Sequence, residues 1–136
     1  MKNKKKGQLS VEYLIIIGFV TFAISITIAL GMVYSGLAKD SISINQAEVF
    51  ANKIIDSAES VFYAGSPTQT VLTAYLPSQV INITVLQKEI VISISTSTGI
   101  NIQSFPSKVQ LEGNISSTEG LKKIKLRATS DRVIIS

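Results

Sequence analysis

Few side chains in this sequence are fitted for chemistry. It has no Cys and no His, which removes disulfides, thiolate metal sites and the imidazole best suited to proton transfer near neutral pH. What remains is a handful of carboxylates, lysines and hydroxyls. Glu48, Asp56 and Glu59 recur on one side of a helical pattern without metal-ligand spacing, and no nucleophile stands beside a base. No catalytic residue, metal or cofactor is expected, and no enzyme. Two triplets, Asn82-Ile83-Thr84 and Asn114-Ile115-Ser116, are acceptors for N-glycosylation if they lie outside the cell. The carboxylate that demands an explanation is Glu12. It falls in Gly7-Gln8-Leu9-Ser10-Val11-Glu12-Tyr13, between a lysine run and a long apolar segment, where an unpaired charge is costly.

The net charge of +4 is a property of the N-terminus. Four of the thirteen basic residues are Lys2, Lys4, Lys5 and Lys6, and without residues 1–7 nine basic residues face nine acidic ones. No basic face for a nucleic acid is left. The cluster Lys122, Lys123, Lys125 and Arg127 is flanked by Glu119 and Asp131 and suits a solvated sheet face.

The elements that must position Glu12 are legible from periodicity. Residues 13–38 form an uncharged stretch of 26, more than the ~20 apolar residues that cross a bilayer as a helix. Lysines before it and balanced charge after it predict an N-in, C-out orientation. Helical spacing continues through Ala47, Phe50, Ile54, Ala58 and Val61, widened by Ile55 and Phe62, with Asn45, Glu48, Asn52, Lys53, Asp56 and Glu59 largely opposite. One helix is predicted from Ser10 to Ala64, ended by Gly65-Ser66-Pro67. Period-two alternation follows. It predicts strands at 70–76, 81–85, 90–95, 99–103, 109–115, 121–129 and 132–135, with Gln87-Lys88 as a hairpin turn. Asn82 alternates with Ile81 and Ile83, and Asn114 with Gly113 and Ile115, so both are predicted to point outward. Alternation of this kind suits an antiparallel sheet with one wet face, covered on the other by the amphipathic half of the helix. The expected fold class is therefore α+β: a long hydrophobic helix, then a small antiparallel β head packed on its C-terminal half.

A basic start followed by an apolar run is also the plan of a secretory signal peptide. Here the run is much longer than the roughly 7–15 residues of such a core, and no small-x-small cleavage site precedes a mature domain. The residues Gly7, Gln8, Ser10, Glu12 and Tyr13 instead resemble the class III signal sequence of archaeal type IV pilin-like proteins: a basic leader, a small residue, then Gln-x-Ser-x-Glu before an apolar helix. That resemblance implies cutting between Gly7 and Gln8 by a prepilin peptidase, with the apolar helix kept on the mature chain. It implies assembly of many copies into a helical filament by an ATPase and a membrane platform protein. It also implies that the glutamate sets subunit register.

The physical chemistry of the junction fits that plan. Cutting after Gly7 removes the lysines and frees an α-amine on Gln8, mostly protonated at neutral pH, one helical turn from Glu12. In a bundle the amine of one copy can meet Glu12 of another, and a paired carboxylate is tolerable in apolar surroundings where a lone one is not. A plainer reading also stands: Ser10 caps the helix and Glu12 sits in its first turn, where a negative charge suits the dipole.

The expected organisation is a cleaved leader at 1–7, a transmembrane and filament-core helix at 8–38, its amphipathic continuation at 39–65 and a β-rich head at 66–136. As a precursor the chain is held in membrane lipid; as a product it belongs to an extracellular, adhesive filament. The alternative is a single-pass surface protein whose β head binds a ligand and never polymerises.

Overall fold

The computed structural model describes the backbone from residue 4 to residue 136 and side chains from Ser10 onward. The side chains of the leader and of Gln8 lie outside that description. The first element, α1, runs Lys4–Tyr63. Ser10 is therefore inside the helix and does not cap it. Contacts divide the chain into two units, one ending at Ala38 and the other Lys39–Ser136.

In the first unit the helix has no partner among the described residues. Val11, Tyr13, Leu14, Phe19, Phe22, Leu30 and Met32 are all exposed, as are the other large apolar side chains between them.

In the second unit the remaining half of α1 carries a core face. Ala47, Phe50, Ala51, Ile54, Ile55, Ala58 and Val61 are buried, the face that the three- and four-residue spacing predicts. Alanines on it let strands approach closely. Gly65 ends the helix with φ 88°, a left-handed conformation that costs glycine little.

Seven strands follow: β1 (Gln69–Leu76), β2 (Val80–Leu86), β3 (Glu89–Thr96), β4 (Gly99–Pro106), β5 (Leu111–Gly113), β6 (Gly120–Ala128) and β7 (Val133–Ile135). The α+β class is as expected: a long apolar helix whose second half packs on a β-rich head, an arrangement like that of a type IV pilin. The head, however, has two sheets rather than one. A four-stranded sheet has the order β1-β6-β7-β5, and a three-stranded sheet the order β2-β3-β4. The larger sheet is mixed, since β5 and β7 pair in parallel through Leu111↔Val133. Gly113 makes that pairing possible. A Cβ there would stand 2.0 Å from the Ile135 carbonyl oxygen.

Ile90, Ile92 and Ile94 of β3 and Ile124, Leu126 and Ala128 of β6 point inward, following their alternation. β2 departs from it. The register shifts between Val80 and Asn82, so Val80 and Ile83 are buried while Ile81 is 49% exposed. The bulge inserts one residue and turns Ile81 out of the core.

Candidate functional site

The feature of the first unit that bears on function is its surface. A helix with exposed Ile, Leu, Val and Phe all round is long and apolar enough to cross a membrane. Three hydroxyls near its middle do not oppose this. Thr21 Oγ1 donates to the Ile17 carbonyl at 2.8 Å, Ser25 Oγ to Thr21 at 2.8 Å and Thr27 Oγ1 to Ala23 at 2.9 Å. These three hydroxyls are satisfied by the helix itself and need no water.

Ser10, Glu12 and Tyr13 lie on this helix, all exposed. Among the described residues none donates a hydrogen bond to Glu12 or pairs with it. Gly7, and with it the α-amine that cutting would free on Gln8, falls outside the described side chains.

In the second unit three polar contacts fix α1 among the strands. Asp40 is 9% exposed. Its carboxylate accepts the Ser97 backbone N–H at 2.9 Å, the Ser97 hydroxyl, and the Gln79 amide at 3.2 Å. The Ser97 hydroxyl, then its N–H and the Gln79 amide, outweigh desolvation and hold the Asp40 carboxyl below its ordinary range. At the other end Glu59 accepts the Lys108 backbone N–H at 3.1 Å, and its carboxylate lies 3.6 Å from the Lys108 ammonium. Ser97 precedes β4 and Lys108 follows it, so α1 and β4 run in the same direction. On the opposite flank Lys53 Nζ donates to the Thr73 carbonyl of β1 at 2.7 Å.

Lys53 and Glu59 thus do not merely face water, as the helical pattern suggests. Charge pattern alone does not single out Asp40. A signal for it exists: it stands seven and eleven residues before Ala47 and Ala51, on the arc of the helix that carries the core. Glu48 and Asp56 are exposed. Among the described residues no group of three or more acidic side chains is placed to hold a metal.

Beside Lys53 an open groove of about 560 Å³ separates α1 from β1, lined by Ile42, Val49, Phe50, Tyr75 and Leu121. Asn82 and Asn114 are both exposed, and Asn82 Nδ2 donates to Thr84 Oγ1 at 3.3 Å. Lys123, Lys125 and Arg127 point outward from β6. At the far edge of the larger sheet Arg132 bridges Glu112 and Asp131, each at 2.8 Å.

No protein-family model, no curated protein and no solved structure matches the chain.

Proposed function

We propose that this chain is a pilin-like structural subunit, cut between Gly7 and Gln8 by a prepilin peptidase and assembled with copies of itself into an extracellular filament. The observation that carries this reading is the first unit: a helix with exposed apolar side chains all round and three internally bonded hydroxyls, which keeps near its start one carboxylate that pairs with no described residue. A lipid anchor needs the apolar surface but has no use for Glu12. A bundle of helices uses both, since it covers the surface and can supply the cation. Before assembly the same helix holds the precursor in the membrane, N-terminus inside and head outside. An ATPase and a membrane platform protein would drive extraction, and the filament would serve surface attachment, with Asn82 and Asn114 open to glycosylation. Mass spectrometry of the N-terminus of surface filaments tests the reading. A chain beginning at Gln8 is expected. A chain that keeps Lys4–Lys6, found only as single membrane-held copies, would replace it with an anchored surface protein.

A further inference from the structure

Of the four edge strands of the head, β1 and β4 differ in character and run in opposite directions. Just before β1, the Thr68 carbonyl accepts the Ala128 N–H of β6 at 2.9 Å. Because hydrogen-bonded pairs alternate along an antiparallel ladder, residues 70, 72 and 74 face β6. The backbone groups of Val71, Thr73 and Tyr75 then face the open edge, as the Lys53 contact to the Thr73 carbonyl agrees. In β4 the two-residue turn Ser97-Thr98 makes Thr96 and Gly99 a bonded pair. The backbone groups of Ile100, Ile102 and Ser104 are therefore left at the other edge. Beyond the β3 ladder no described residue hydrogen-bonds them.

The one usual protection on that second edge is Pro106 at its end, beyond the residues that would pair. The edge is eight residues long, carries no charge, and shows Ile100 and Ile102 at 67% and 68% exposure. Such an edge invites another strand. The first edge has what a strand would seek: an apolar groove beside a helix, open along β1, the setting in which extended segments add to a sheet.

We propose that β4 of one copy adds antiparallel to β1 of the next, in the groove beside α1. α1 passes from Asp40 beside Ser97 to Glu59 beside Lys108, parallel to β4. It runs antiparallel to β1, since Ile42 lies near Tyr75 and Asp56 near Thr70. β1 and β4 of one head are therefore opposed in direction, and two heads standing side by side in the same orientation present them correctly for an antiparallel pair. Setting Ile102 against Thr73 of the neighbour places Ile100 on its Tyr75 and Ser104 on its Val71, with about six backbone hydrogen bonds. All six side chains lie on outer sheet faces, so the two sheets join with matching faces. No charge of β4 is buried, and Lys53 can keep its carbonyl or pass to one of the incoming strand. The contact is head-to-tail and does not close on itself. One strand pair is smaller than the ~1,200–2,000 Å² of a free-standing stable interface, so it forms between copies already held side by side. From the proposed function it takes only that the heads of many copies stand on one side of a membrane or filament.

The absence of cysteine allows a direct test on the full chain in membranes. A bonded antiparallel pair has Cα atoms about 5.5 Å apart, within the ~4.4–6.8 Å of a disulfide. Under oxidation, Thr73→Cys/Ile102→Cys in one chain is expected to give a ladder of oligomers on non-reducing gels. Either single variant should stay monomeric, and the off-register Val71→Cys/Ile100→Cys should give several-fold less product. Three results would overturn the proposal: no ladder, an equal ladder from the off-register pair, or a dimer from Ile102→Cys alone, which would mean two β4 edges pairing. A ladder without filaments would uphold the contact and refute filament assembly; filaments without a ladder would do the reverse.

Discussion

Replacing Glu12 with Gln separates the two roles open to this carboxylate. The change keeps the side chain's size and removes its charge. In the isolated chain Glu12 is exposed and no described residue pairs with it, so the folded subunit loses little. In α1 as it stands, starting at Lys4, Glu12 lies past the first turn. Even in a mature helix starting at Gln8, a dipole role would be worth no more than ~0.3–1 kcal/mol, too small to alter display. In a bundle the surroundings change, because Tyr13, Leu14, Ile15 and Ile16, now exposed at 60–70%, would be covered by other helices. A cation left there without its carboxylate bears the penalty of a broken buried pair, ~3–5 kcal/mol. It recurs at every subunit of a filament. The expected outcome is a precursor that inserts and is cut normally but accumulates in the membrane. Immunoblots of membrane and sheared-filament fractions, with mass spectrometry of the N-terminus, read both steps. A wild-type filament yield from Glu12→Gln would refute the pairing role.

Deleting residues 1–38 should leave a soluble, folded head, because the buried cluster from Ala47 to Ile135 lies wholly beyond them; an aggregate without a cooperative melt would sink this. Phe50→Ala, at 1% exposure in that head, should cost ~3–5 kcal/mol in denaturant unfolding, and a loss below 1 kcal/mol would mean the helix is not its central layer. Gly113→Ala forces a Cβ onto the Ile135 carbonyl at a φ of 143° and should detach β5 from β7, seen as faster amide exchange at Val133 and Ile135, whose amides face β5. Asp40 gives a signed dependence on pH. Its folded-state pKa is depressed, so its contribution is present above the ordinary carboxylate value and fades as pH falls through the folded one. The melting temperatures of wild type and Asp40→Asn should therefore differ at neutral pH and converge in acid; a constant gap would refute the linkage.

Local patterns in the sequence carried the elements, and non-local pairing did not. Alternation at Ile90, Ile92 and Ile94 and at Ile124, Leu126 and Ala128 marks strands and their inner faces, since a strand's period is a property of its own residues. Which strand pairs with which is decided elsewhere. Nothing within 111–113 or 133–135 announces a parallel pair, and the chain leaves the larger sheet after β1 only to rejoin it at β5. The bulge at Val80–Asn82 is hidden for a related reason: Ile81 is as apolar as Val80, and only the partner strand reveals which one is turned out. Of the site, Ser10, Glu12 and Tyr13 are legible because they break an apolar run at fixed spacing. Asp40 sits among charges where the run ends and looks like an ordinary surface residue until its partner Ser97, 57 positions away, is known.

The position of Asp40 also bears on why one helix can carry two different chemistries. From Tyr13 to Leu37 large apolar side chains are exposed all round α1, as suits surroundings of lipid or like helices. From Lys39 onward only one arc is apolar, and small residues on it, Ala47, Ala51 and Ala58, bring the strands close. A change of this kind needs a fixed end, or the first turn of the head-bound half would fray from the strands. Three hydrogen bonds to the Asp40 carboxylate supply that end without a cation. Its donors are all neutral, so this latch is less weakened by salt than an ion pair at the same place would be. Because Ser97 closes the β3–β4 hairpin, the same latch that starts the packed half of α1 also sets the direction of β4, the edge on which a neighbouring head would pair.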